Sequence, residues 1–88
     1  MSFQAMAWAI KQKAPTKPKF VLLVLANYAD DTNRAWPSLM TLCKDTGISR
    51  SVMIECLKKL VELGLIEKVK RYKGNLRSSN VFFLKLPS

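Results

Sequence analysis

The chain has 88 residues, 15 Lys and Arg against 6 Asp and Glu, no His, and a formal charge of +9. That length allows one domain with a single small core, covering about 60–65% of the surface the unfolded chain exposes, and 49% hydrophobic with 24% charged residues describes a folded domain, not a disordered basic tail. Without His, the Ser-His-Asp and Cys-His catalytic arrangements and most zinc sites are excluded, so no enzyme, metal or cofactor is expected, whereas the surplus positive charge points to a polyanion such as nucleic acid.

Cys43 and Cys56 form no CxxC pair and are expected as reduced thiols packed like small apolar residues. The longest apolar run, residues 20–26, is far shorter than the roughly 20 residues that cross a bilayer. Residues 1–10 lack the basic start of a secretory signal, and a cytoplasmic chain without a membrane partner is expected.

Phe3, Met6, Ala7 and Ile10 fall at i, i+3, i+4 and i+7, with Trp8 and Ala9 widening the apolar face, which predicts a helix over 3–12. Ala14-Pro15-Thr16 breaks it. Thr16 is expected as an N-cap and Pro18 suits a first turn, so a second helix is predicted over 17–29. Phe20 to Ala26 and Tyr28 make that helix apolar over most of its circumference, which places it at the centre of the core. Asp30-Asp31-Thr32-Asn33 reads as a solvated turn, and residues 34–36 leave room only for a minimal extended segment before Pro37.

Ser38 caps a predicted third helix, residues 38–45 with the cap included, on which Leu39, Leu42 and Cys43 form the apolar face; Gly47 stops it. After Thr46-Gly47-Ile48, Ser49 is expected to cap a fourth helix over 50–63, with Met53, Cys56, Leu57, Leu60 and Leu63 inward and Gly64 as its stop. Two capped helices joined by so short a Gly-containing turn are the pattern of a helix-turn-helix. Alternation over 65–72 predicts a strand, residues 73–79 a polar loop, and 80–86 a returning strand. The expected fold is therefore mainly α with a small β-hairpin, a winged helix-turn-helix in one domain over 1–88.

The charge is unevenly placed. Residues 1–48 carry six basic and three acidic groups, residues 49–88 nine and three. Lys68, Lys70, Arg71, Lys73 and Arg77 fall within ten residues that contain no acid, a pattern that suits phosphate better than a merely solvated edge. On the fourth helix the inward stripe leaves Arg50, Ser51, Ile54, Glu55 and Lys58 outward. Arg50 has the fork to meet guanine O6 and N7, Ser51 the hydroxyl for a base edge or a phosphate, and Ser49 exposes first-turn amides that favour an anion. Glu55 either accepts from cytosine N4, orients Arg50 or Lys58, or simply pairs with Lys58 or Lys59; Ile54 either meets a thymine methyl, packs against the preceding helix, or marks a protein interface.

Trp36-Pro37-Ser38, Leu42, Thr46-Gly47-Ile48-Ser49-Arg50-Ser51, Leu57-Lys58-Lys59-Leu60 and Gly64-Leu65-Ile66 together resemble the winged helix-turn-helix domains of bacteriophage and plasmid replication proteins and related regulators. Residues 5–13, 25–30 and Ser79-Asn80 fit the same pattern. The resemblance implies a supporting helix over 38–44, a recognition helix over 50–63 and a wing over 68–84, with Arg50, Ser51 and Lys58 facing the groove. Ile54 and Glu55 depart from it, since relatives usually carry polar or basic residues there. Relatives that initiate replication often have a further C-terminal region that recruits replication proteins, and this sequence stops at Leu86-Pro87-Ser88. It is expected to be either a detached module of a longer initiator or a free-standing small regulator.

The function expected is double-stranded DNA binding in phage or plasmid replication initiation, with a DNA-binding transcription regulator as the alternative. A protein-interaction module, using Phe3, Trp8, Ile54 and Phe83, is the third reading. A homodimer through the N-terminal helix is the expected assembly on a two-fold site.

Overall fold

Caps and glycines set most element ends in the computed structural model, which describes residues 3–69, 72–73, 76–77 and 81–87. The order is α1 (Phe3–Lys11), α2 (Thr16–Tyr28), β1 (Arg34–Ala35), α3 (Leu39–Thr46), α4 (Arg50–Glu62), β2 (Ile66–Val69), β3 (Tyr72–Lys73), β4 (Leu76–Arg77) and β5 (Val81–Leu84). Helices α2 to α4, a three-stranded antiparallel sheet and the hairpin beyond it make a winged helix-turn-helix. Among the described residues no helix is long and apolar enough to cross a membrane.

Helix α2 begins one residue earlier than the sequence predicts. Pro15, not Thr16, is the N-cap, at φ −56° and ψ 158°, a conformation its ring already favours, and its carbonyl accepts from the Lys19 amide at 2.8 Å. Thr16 therefore occupies the first helical position and Pro18 the third, where an amide has no intrahelical acceptor to lose. Val21, Leu22, Leu25 and Ala26 are buried, and α2 packs against α1, α3, α4 and β1, so it is the centre of the core as its apolar circumference requires.

The face that α1 turns inward is not the one its large residues mark. Ala5 and Ala9 are fully buried against the core, with Met6 and Trp8 partly buried beside them, while Phe3 is 80% and Ile10 56% exposed and Ala7 is exposed too. An i, i+4 pair of alanines lets the α1 backbone approach α2 closely, whereas the Phe3–Ile10 stripe would hold the two helices apart. Of the apolar face that the spacing predicts, Ala9 is buried and Met6 and Trp8 are partly buried, whereas Phe3, Ala7 and Ile10 remain outside.

Asp30 organises the step from α2 into β1. Its carboxylate accepts from the Thr32 hydroxyl at 2.7 Å, the Thr32 amide at 2.9 Å and the Arg34 amide at 3.0 Å, and the Thr32 hydroxyl and Arg34 amide in that order hold its pKa below the usual carboxylate value. Asn33 takes φ 63°, which Asn tolerates, and its carbonyl accepts from the Leu84 amide at 2.9 Å. The expected solvated turn is therefore also a clamp on the sheet.

The sheet order is β1–β5–β2, with Arg34 opposite Phe83, Ala35 opposite Phe82, Ile66 opposite Leu84 and Val69 opposite Val81. Ala35, Ile66, Phe82 and Leu84 are buried in the helical core. The predicted loop over 73–79 is shorter than expected, because Tyr72 and Lys73 pair with Arg77 and Leu76 in a second antiparallel ladder. Leu65 lies before β2 and residues 85–86 lie after β5, so those two predicted strand ends are corrected by one and two residues.

Candidate nucleic-acid interface

The supporting helix α3 is fixed at both ends. Ser38 Oγ accepts from the Thr41 amide at 3.1 Å, and Gly47, at φ 74°, donates its amide to the Cys43 carbonyl at 2.9 Å. Thr46 is the last helical residue, one beyond the predicted end. Its hydroxyl donates to the Leu42 carbonyl at 2.7 Å and accepts from the Ile48 amide at 3.2 Å, which pins the three-residue turn 47–49 to α3. At the same end, the Tyr28 hydroxyl of α2 donates to the Asp45 carboxylate, tying α3 to α2. This bond favours the neutral phenol and raises the Tyr28 pKa.

Helix α4 is docked by Met53, Cys56, Leu57 and Leu60, all buried. Burial pushes the Cys56 thiol above its ordinary pKa, and Cys43 and Cys56 are both free thiols, as the sequence predicts. Leu63 belongs to the predicted stripe but is 41% exposed. The helix stops before it: the Gly64 amide donates to the Val61 carbonyl at 3.0 Å and the Leu65 amide to the Leu60 carbonyl at 3.0 Å, with Gly64 at φ 73°. This paired closure satisfies two terminal carbonyls and turns the chain toward β2.

Docked that way, α4 exposes Arg50, Ser51, Ile54, Glu55 and Lys58 on the surface away from the core. Ser49 has the extended N-cap backbone, and its carbonyl accepts from the Met53 amide at 2.8 Å, but its hydroxyl does not cap the helix. The expected side-chain cap is absent, so that the exposed Ser49 hydroxyl makes no bond to the first-turn amides. Ile54 is 38% exposed and lies outside the core cluster, which removes core packing as its explanation. Among the described residues Glu55 makes no ion pair with Lys58 or Lys59 within 4.0 Å, so the simple pairing reading is corrected as well.

Of the predicted wing cations, Lys68 is exposed on β2, opposite Phe82. Lys70 and Arg71 lie outside the described residues, and for Lys73 and Arg77 only the backbone pairing in β3 and β4 is described. Glu67, a neighbour of opposite sign, is paired with Lys85 at 2.8 Å, which reduces its opposition to an approaching phosphate.

One feature of the surface escapes a reading centred on the C-terminal half. Lys17 of α2 lines a cleft of about 430 Å³ whose other wall includes Ser49 and Val52 at the start of α4. The signal was present in the sequence, because residues 1–29 contain four Lys and no acid.

No curated protein and no solved structure matches the chain. A family model described as a helix-turn-helix domain matches residues 15–66, more than half of the chain and the segment from the α2 N-cap to the first residue of β2. With a core-docked α4 presented by a capped α3, the chain belongs to the helix-turn-helix domain family, a DNA-binding fold.

Proposed function

We propose that the chain binds double-stranded DNA with the exposed face of α4 in the major groove and the basic hairpin beyond β2 on the adjacent phosphate backbone or in the minor groove. One observation carries this reading: burial of Met53, Cys56, Leu57 and Leu60 leaves Arg50, Ser51, Ile54, Glu55 and Lys58 together on the free face of a helix-turn-helix second helix. Arg50 reads guanine, Ser51 a base edge or phosphate, and the Ser49 amide end receives a phosphate. Ile54 meets a thymine methyl, and Glu55 accepts from cytosine N4 or orients its cationic neighbours. Lys68, Lys70, Arg71, Lys73 and Arg77 supply attraction without sequence preference. The function is binding and not catalysis.

The process we assign is phage or plasmid replication initiation, supported by the resemblance of the Trp36 to Ile66 motifs to such proteins. In a longer initiator, other replication proteins are further partners. Transcription regulation uses the same contacts and is the alternative; the position of selected sites near origins or promoters separates the two. A second copy of the chain is proposed to dock through the outward Phe3, Ala7 and Ile10 stripe of α1.

Fluorescence anisotropy with DNA duplexes tests the binding. Five phosphates neutralised by the hairpin cations alone give a log–log salt slope of about −4.5, roughly a 500-fold loss of affinity between 50 and 200 mM salt. Arg50→Ala is expected to cost ~1–3 kcal/mol on a selected site and little on random duplex, whereas Lys68→Ala weakens both alike and lowers the slope by about 0.9. A flat salt response refutes the DNA reading and favours the protein-interaction module.

A further inference from the structure

We infer that the corner between α1 and α2, through Lys13 and Lys17, is a second phosphate-binding surface that grips the DNA backbone beside the start of α4. The inference rests on the DNA-binding reading and extends its footprint beyond the hairpin.

Lys11, Lys13, Lys17 and Lys19 fall within nine residues, and the first acid of the chain is Asp30. Lys11, Lys13 and Lys17 are exposed, and among the described residues none of the four pairs with a carboxylate. Exposed cations so close along the chain and without counter-charge are stabilised by any polyanion that reaches them.

Position then selects the polyanion. Lys17 stands at the mouth of the cleft that α2 forms with the turn 47–49, and Ser49 on the far wall is the N-cap of α4. The electrostatic influence of Lys17 reaches the Cys56 thiol in the second turn of α4, where it opposes the rise that burial causes. The cation therefore lies alongside the helix proposed to enter the groove, so that a duplex seated on Arg50 and Ser51 brings a backbone past Lys17. Phe20, Ile48 and Val52 complete an apolar floor that suits deoxyribose. The first helical residues of α2, Thr16 and Lys17, and the N-cap of α4, Ser49, all line this cleft, and neither N-cap makes a side-chain bond to the first-turn amides of its helix. An acidic protein would meet the same cations, but only a duplex is expected to engage them together with Arg50.

The consequence is a count. Five hairpin phosphates plus two at the corner make a salt slope of about −6.3 for the unmodified chain, roughly a 6000-fold loss between 50 and 200 mM salt. The double substitution K13A/K17A returns the slope to about −4.5 and that loss to roughly 500-fold, on selected and random duplexes alike. K13R/K17R keeps the steeper slope, and an unchanged helical circular dichroism spectrum shows that each variant is folded. If the unmodified chain binds duplex with a slope that K13A/K17A leaves untouched, the corner is overturned while DNA binding by α4 and the hairpin stands. If the unmodified chain binds no duplex at 50 mM salt, both fall together.

Discussion

Helices α1 and α4 both carry an apolar pattern at helical spacing, yet only α4 is oriented by it. In α4 the inward residues Met53, Cys56, Leu57 and Leu60 are the ones the spacing predicts. In α1 two patterns compete, one carrying the large Phe3 and Ile10 with Ala7 between them and one of Ala5 and Ala9, and the pair of alanines is the one buried. Size of side chain is a property of the residue, whereas fit is a property of a pair of surfaces. Helix α2 offers Val21, Leu22, Leu25 and Ala26, already bulky enough to fill the space between two helices, so its partner must be thin. Helix α4 instead sits over a broader floor that α2, α3 and β2 build together, and large residues fill it.

The comparison predicts effects of different size, beginning in α4. Leu60 is fully buried, so Leu60→Ala removes a core side chain and leaves a cavity, with an expected loss of about 2–5 kcal/mol by urea unfolding. A smaller loss would mean that α4 is held by its ends and not by its stripe. Ala9→Leu adds volume where α1 has none to spare and is expected to cost ~1–3 kcal/mol. If Ala9→Leu stabilises the chain, the close approach of α1 to α2 is wrong.

The end of α4 provides a third, smaller case. Gly64 adopts φ 73° and has no atom near the position a Cβ would take. Gly64→Ala therefore strains only the backbone, and the expected loss is about 1 kcal/mol. A larger loss would show that the turn into β2 packs more tightly than its open surroundings indicate.

What the sequence made legible follows the same division. The ends of α3 and the stop at Gly64 depend on residues within a few positions of one another, Ser38 with Thr41 and Gly47 with Cys43, and they were readable as local chemistry. The order of helices and the return of the hairpin to the core were readable for the same reason. Two local features were missed because neighbouring residues offer competing caps: Thr46 extends α3 and locks the turn through Leu42 and Ile48, and Pro15 rather than Thr16 begins α2. The α1 face, by contrast, depended on a distant partner, since it is selected by α2. The candidate site divides likewise: the outward set on α4 follows from its inward stripe, whereas the proximity of Lys17 to Ser49 required the fold. Ile54 belongs to that outward set, and the packing of α4 leaves it 38% exposed.

The smallest expected effect sharpens the comparison most. Phe3 and Ile10 contribute little to a core they face away from, so Phe3→Ser with Ile10→Ser should change the unfolding free energy by no more than about 0.5 kcal/mol. Two exposed large apolar residues on one face of a helix still need a reason, and a second copy of the chain supplies one. Sedimentation measured with DNA present is expected to show two chains on a two-fold site and one chain when both residues are Ser, with monomer stability unchanged. A large loss of stability in the monomer would instead mean that the Phe3 stripe is part of the core. In that case α1 would follow the same rule as α4, and its own pattern would have named its buried face.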